Sequence, residues 1–440
     1  MEKTNRSSTL RGTDSKLYGI SVALMLVFVM YDQLLPSTLS YLSLAAGACL
    51  AVYLFLRDGG IRFDLYKWST FSLWLVYGAI VLISYYAGSG ERFVSMVVLL
   101  LFIVLMLMSA NSIKWISSSV KTTVACLLVF ALATIAMYFS PELSQFVGRY
   151  FFENNLDFAG YQSGLTSHYS VNGLCNALGA VISFCFVMFS SGTSKRRLLW
   201  LVVTALFLFA LVLTSKRAPI IVVAVVYLVL FASSRQSGKA LKLILLIAVA
   251  SYLLISFAPI IPGMQDLSDR LLEAINADSL EESTSGRTLV WQHAFEGWQA
   301  SPLMGNGWSS FIFIWPNHVT VSGYSHNELL GMLYETGLVG AVIGVSCMTI
   351  SLIMTMRLLK AARSLDFELH LRISFGLQLY HLIYGFTMGN IMTQPIYYGI
   401  YILAVAISLA IYCNSGLVPE RRVLGRMGNR VSRQSKRNES

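Results

Sequence analysis

Long apolar stretches separated by short polar turns run through most of the chain. A bilayer hydrocarbon core of ~30 Å takes ~20 mostly apolar residues per helix, and about twelve stretches meet that length. They lie at Leu17–Leu35, Ser37–Leu56, Trp68–Ala87, Phe93–Met108, Val120–Phe139, Ser170–Phe189, Leu198–Thr214, Ala218–Ala232, Ala240–Phe257, Glu328–Met356, His370–Gly389 and Pro395–Cys413. The pattern predicts an all-α, polytopic integral membrane protein. It divides the chain into an N-terminal tail (1–16), nine spans (17–257), a large loop with short helices (258–327), three more spans (328–413) and a basic tail (414–440). The first stretch reads as a span and not as a cleaved signal. It has no small-residue cleavage site, and the second follows at once.

Composition agrees with the pattern. Hydrophobic residues make up 56% and charged residues 12% of the 440, against roughly 25% charged in soluble domains. Charge then orients the spans. Laid on this map, 26 of the 32 lysines and arginines fall on one side and 6 on the other (32 − 26). Cytoplasmic loops carry the excess of Lys and Arg, so both ends are expected in the cytoplasm and the large loops outside. The net charge of +10 is therefore a topology signal. No interleaving of basic and aromatic residues points to nucleic acid, and none is expected as a partner. Cys49, Cys126, Cys175, Cys185, Cys347 and Cys413 lie in or at the edge of apolar spans without metal spacing and read as buried thiols.

Chemistry is concentrated in the outer turns. Leu213–Pro219 joins two spans and holds Lys216 and Arg217 on the side that should be poor in cations. Snorkelling to lipid headgroups is the bland account of Lys216. Arg217 offers a bidentate fork suited to phosphate. The loop Ser140–Tyr169 reads as mixed polar and aromatic, with His168 as either a substrate contact or a surface histidine.

In the loop Ala258–Tyr324, Gln265–Ala277 can form a short helix and Asp278–Ser285 is acidic and serine-rich. Gly286-Arg287 opens a helix over Thr288–Ala300 with Trp291, Phe295 and Trp298 at helical spacing. Arg287 shares a face with Trp291, and the helix should lie along the membrane surface. Trp298 reads as a membrane anchor, and His293 and His318 as incidental. Asp266 and Asp269 are a weak metal pair. Walker A, GxSxG, HExxH and DxD patterns are lacking, so neither a metal nor a cofactor is expected.

The stretch Gly323–Gly340 runs from a polar turn straight into a hydrophobic helix. Ser325 and Glu328 have capping-box spacing, which would place His326 and Asn327 in the first helical turn. Free N–H groups and the positive dipole end gather there. An imidazole in that position is biased to its neutral, proton-accepting form, and the turn suits an anion. Glu335 lies well into the helix, where pairing and packing are both open.

Arg217, Arg287 and His326, in that order on the outer face, complete a pattern that resembles the O-antigen ligase/polymerase family. The matching pieces are Thr214–Ala218, Gly286–Trp291, Ser301–Trp308 and His326 through Gly340, spread over the second half of the chain. Lys216 departs from the smaller residue that many relatives have before the arginine.

The resemblance implies a GT-C-like fold in the bacterial inner membrane with its active site facing the periplasm. It implies a metal-independent, inverting glycosyltransferase. The donor would be an undecaprenyl-diphosphate-linked glycan, transferred en bloc to a sugar hydroxyl of lipid A-core in lipopolysaccharide biosynthesis. A polymerase would use a second lipid-linked repeat unit instead. Arg217 and Arg287 would hold the diphosphate and His326 would activate the acceptor. Lys216 and Asn327 complete the substrate-binding set. The residue chemistry points the same way, since a leaving diphosphate without a metal needs fixed cations and a hydroxyl nucleophile needs a base. A flippase or transporter is the alternative from another class. It should carry its ionisable groups near the midplane, whereas these sit at span ends.

Overall fold

The computed structural model describes residues 6–31, 34–57, 73–74, 76–81, 112–151, 161–166, 168–233, 286–316, 321–362, 365–387 and 395–414. Within them the chain is almost entirely helical. The helices are α1 (Arg6–Tyr31), α2 (Ser37–Arg57), α3 (Ile116–Phe139), α4 (Pro141–Phe151), α5 (Tyr169–Phe189), α6 (Ser194–Leu213), α7 (Arg217–Ala232), α8 (Arg287–Ala300), α9 (Glu328–Ala361), α10 (Leu365–Gly385) and α11 (Pro395–Asn414). Among the described residues six helices are long and apolar enough to cross a membrane: α2, α3, α5, α6, α9 and α11. The chain is a multi-pass membrane protein. The stretches Phe93–Met108 and Ala240–Phe257, most of Trp68–Ala87, the Gln265–Ala277 helix, Asp266, Asp269 and His318 lie outside the described residues.

Helices α5 and α11 form the centre. Their side chains are buried along almost the whole length. Small residues let neighbours close on α5: a Cβ at Gly179 would meet the Phe207 ring of α6 at 2.2 Å. Lipid is as apolar as a leucine side chain, so such close packing and polar contacts between helices hold a membrane bundle together. Polar contacts tie α9, α10 and α11 together. Thr355 Oγ1 donates to Ser408 Oγ at 2.8 Å, Ser374 and Ser408 hydroxyls meet at 2.7 Å, and Gln378 Nε2 donates to Thr355 Oγ1 at 2.8 Å. The outer helix α6 turns Leu198, Leu199, Leu201 and Val202 outward, the face a lipid-bounded helix requires.

The two ends of the bundle differ in chemistry. At one, Arg372 of α10 donates to the Ser233 carbonyl at the end of α7 at 2.9 Å, pairs with Glu368 at 3.3 Å and covers the Phe189 ring. At the other lie the starts of α5, α7 and α9 and the end of α10.

Several expectations change. The all-α class holds in the described residues, with one small addition: Phe313–Ile314 (β1) pairs antiparallel with Val321–Ser322 (β2). The Ser140–Tyr169 loop contains α4. Pro141 sits at its first position, where no N–H is needed, and Leu143, Phe146 and Tyr150 remain exposed on it. Cys49 is exposed on α2 and not buried.

The segment read as the span Glu328–Met356 is a 34-residue helix broken at Gly337 (φ 64°, ψ −168°). At 1.5 Å per residue an unbroken helix would run ~50 Å, far beyond a bilayer core. The break admits the loop after α8. Leu338 N donates to Pro302 O at 2.9 Å and Val339 N to Leu303 O at 3.2 Å. In return Asn306 N donates to Tyr334 O at 2.8 Å and Gly307 N to Glu335 O at 3.0 Å. The backbone groups freed by unwinding are thus satisfied within the protein, as buried backbone requires.

Candidate active site

Four helices present their N-termini to one end of the bundle, and Lys216, Arg217, Arg287, His326, Asn327 and His168 all stand at or just before those starts. Lys216 is the N-cap of α7 and Arg217 its first residue. The turn before them is tight: Ser215 takes φ 52° and its N–H donates to Val212 O at 2.9 Å. Arg287 is the first residue of α8 behind Gly286. Gly286 has φ 74°, and a Cβ there would meet the Trp315 ring at 2.9 Å, so the Gly-Arg pair is a backbone requirement as well as a chemical one.

His326 lies before α9 with φ 54°, a left-handed conformation uncommon for histidine. The capping box is corrected here. Asn327 is the N-cap, its Oδ1 accepting from Leu330 N at 3.2 Å. Ser325 instead closes the preceding turn, its hydroxyl donating to Asn327 O at 2.6 Å. His326 and Asn327 therefore precede the first helical turn. Asn327 spends its side-chain oxygen on the cap, because the chain must reverse before the helix can start.

These starts come together. Arg287 donates through Nη1 to Thr387 O at the end of α10 at 2.8 Å. Lys216 Nζ stands 4.2 Å from the centre of the Tyr169 ring, which stacks on His168 at 4.1 Å. The His326 ring lies 4.4 Å from that of Tyr324. Burial disfavours the Lys216 ammonium, and the charges of Arg287 and Arg217 add to it, so its pKa falls to about 8. Burial also lowers Arg287; Tyr384 and Tyr324 oppose the fall and Arg217 deepens it. His326 is pulled down to about 3 by burial, then by Arg287, Lys216 and His168. Among the described residues neither Lys216 nor Arg287 has a carboxylate within salt-bridge distance.

The other sequence candidates sit apart from this cluster and hold structure. His293 Nε2 contacts Ile312 O at 3.0 Å and links α8 to β1. Trp298 Nε1 donates to Pro302 O at 3.1 Å. Glu335 is buried at the α9 break, where its carbonyl takes the Gly307 N–H. Among the described residues no three His, Cys, Asp or Glu side chains gather as a metal site. Tyr169, Tyr324 and the Thr387 carbonyl were missed in the sequence. Only their neighbours His168 and His326 hinted at the first two, and nothing marked the third.

The family model described as O-antigen ligase matches residues 202–345. That segment carries the O-antigen ligase family pattern, and the resemblance drawn from the motifs is shown. The matched range includes Lys216, Arg217, Arg287, His326 and Asn327. It supports a glycosyltransferase-like enzyme of O-antigen ligase or polymerase type, with lipid-linked glycans as its general class of substrate. No curated protein matches the chain. The ligase-family segment also contains the α9 break and the loop threaded into it. Two of the pieces that carried the resemblance, Ser301–Trp308 and Glu335–Gly340, are therefore the two sides of one backbone splice.

Proposed function

We propose that the protein is an O-antigen ligase of the bacterial inner membrane. It would transfer a glycan en bloc from undecaprenyl diphosphate to a sugar hydroxyl of lipid A-core at the periplasmic face. The observation that carries this reading is the gathering of Lys216, Arg217 and Arg287 at helix N-termini, with no carboxylate bridged to Lys216 or Arg287 among the described residues. Half-buried cations repel one another unless an anion joins them. Helix N-termini add further positive potential. A diphosphate would supply the negative charge that no described carboxylate brings to Lys216 or Arg287 by a salt bridge, and the excess of Lys and Arg on the opposite side in the sequence supports a periplasmic setting.

The acceptor hydroxyl attacks the anomeric carbon, the bond from that carbon to the diphosphate oxygen breaks, and a single displacement inverts the centre. Lys216, Arg217 and Arg287 balance the charge on the leaving diphosphate. The hydroxyl proton passes to His326. In the anion-free site His326 is a poor base at about 3, first because it is buried and then because Arg287 and Lys216 lie near it. A bound diphosphate reverses the local field and raises its proton affinity, so the base is made by the donor. On this reading the three cations carry the charge stabilisation, and the step balances without a metal.

The test is purified protein in lipid nanodiscs with an undecaprenyl-diphosphate-linked glycan and two acceptors offered separately. Transfer to lipid A-core supports ligation. Transfer only to a second lipid-linked repeat makes the protein a polymerase. Activity lost to chelator and restored by a divalent cation overturns the metal-free step.

A further inference from the structure

We propose that the loop after α8 enters the bilayer on the side of the candidate site, with Leu303 and Met304 in contact with lipid acyl chains. This rests on the membrane-spanning character of α9 and not on the transfer reaction.

Charge fixes where the bilayer begins on α9. No Asp, Glu, Lys or Arg lies between Glu335 and Arg357. The 19 residue steps from Leu338 to Arg357 (357 − 338) cover ~28 Å at 1.5 Å per residue, close to the ~30 Å of one hydrocarbon core. With Arg357 at the far edge, Leu338 and Val339 stand at the edge nearest the site. They open a row of exposed apolar side chains that continues through Val342, Val345 and Ile353, the spacing of a single helix face.

The splice extends that row onto the loop. Leu338 N and Val339 N donate to Pro302 O and Leu303 O, so the loop lies against the end of the span. Leu303 is 62% exposed and Met304 52%. Phe295 of α8, also exposed, lies 5.3 Å from the Trp298 ring, whose Nε1 donates to Pro302 O. The polar backbone of the loop is spent within the protein. Its Pro302 and Leu303 carbonyls go to α9, Ser301 O accepts the Gly305 N–H at 3.0 Å, and Gly305 O accepts the Ser301 hydroxyl at 2.8 Å. Pro302 has no N–H to satisfy. Irregular backbone is tolerated at a bilayer when its polar groups are bonded inside the protein. What this loop turns outward is apolar, and its continuity with the exposed face of α9 makes lipid its cover.

The placement matters for the site. The loop leads from α8, which starts at Arg287, into the break of the helix that His326 precedes. Seating it in lipid sets the height of both residues against the headgroups, the level at which the polar part of a lipid-linked substrate lies.

The test puts a genetically encoded fluorescent amino acid in place of Leu303, and separately of Met304, in the full chain in nanodiscs. Both side chains are exposed, so a larger one can be accommodated. The same label at the exposed Glu296 of α8 serves as the aqueous control. Labels at 303 and 304 are expected to lose emission to lipids carrying a nitroxide on the acyl chain and to be spared by iodide in the water; the label at 296 should show the reverse. Iodide quenching at 303 and 304 as strong as at 296 would leave the loop in water. Protection from both quenchers would mean that protein covers the patch, a second copy of the chain if two occupy each nanodisc. Either result overturns the proposal, and neither depends on whether the protein transfers a glycan.

Discussion

Replacing Gly337 with alanine should break the splice between α9 and the loop after α8. At φ 64° and ψ −168° the residue occupies a region open essentially to glycine alone, and an L side chain there costs roughly 1–3 kcal/mol. The added Cβ would stand 2.3 Å from Leu303 O and 2.6 Å from Gly305 N. These are backbone atoms of the inserted loop and cannot swing aside. Moving them stretches the bonds Leu338 N–Pro302 O and Val339 N–Leu303 O, worth about 1 kcal/mol each. The total is about 3–5 kcal/mol. The loss also reaches the site, because the splice joins the helix starting at Arg287 to the one preceded by His326. The assay is thermal unfolding in nanodiscs alongside transfer activity, with Gly192→Ala as control. There the Cβ meets side-chain atoms alone, Arg196 Cβ at 3.2 Å and Ser190 Oγ at 3.6 Å, and the change should stay within about 0.5 kcal/mol. A Gly337→Ala protein that melts and transfers like wild type would refute the reasoning.

Three further outcomes are expected. Donor binding should weaken as pH rises above 8: the anion-free Lys216 loses its proton near there, the diphosphate-bound form keeps it, and binding must take a proton up. Lys216→Met should bind more weakly and show no such pH dependence, as measured by farnesyl diphosphate competition between pH 6.5 and 9.5. Arg217→Lys should lower the transfer rate about 10²- to 10³-fold, since a point charge cannot reproduce a bidentate fork; single-turnover kinetics with saturating donor check this. Asn306→Asp should destabilise by about 2–4 kcal/mol in thermal unfolding. Asn306 Nδ2 donates to both Gly297 O and Tyr334 O, and a carboxylate would face two carbonyls instead.

Much of the bundle was legible because apolar length is a local property. The helices at Ser170–Phe189 and Ala218–Ala232 differ from the observed α5 and α7 by one residue at their starts. The residues of the cluster were legible for a different reason. Arg217 and Arg287 stood out as cations on the side poor in them, and His326 as an imidazole at a polar-to-apolar boundary. What the sequence hid was set by tertiary contact. The Gly337 break fits any helical pattern until the Pro302–Gly307 loop is brought to it. Helix α4 is short and amphipathic, so its apolar residues read as a scattered loop. The cap moved from Ser325 to Asn327 because His326 adopts a left-handed turn, which no spacing rule encodes. His168 looked like a surface histidine because its partner, the Ser170 N–H, lies in the backbone.

The central claim is that fixed cations hold the donor while His326 takes the acceptor's proton, and it divides binding from chemistry. The most direct measurement takes His326→Ala protein in nanodiscs and reads donor binding and single-turnover transfer from the same sample. Donor bound as in wild type with transfer slowed ~10²- to 10⁴-fold is the expected result. Near-normal turnover would remove the base from His326, and loss of donor binding would make the turn before α9 part of the anion site, with the base elsewhere.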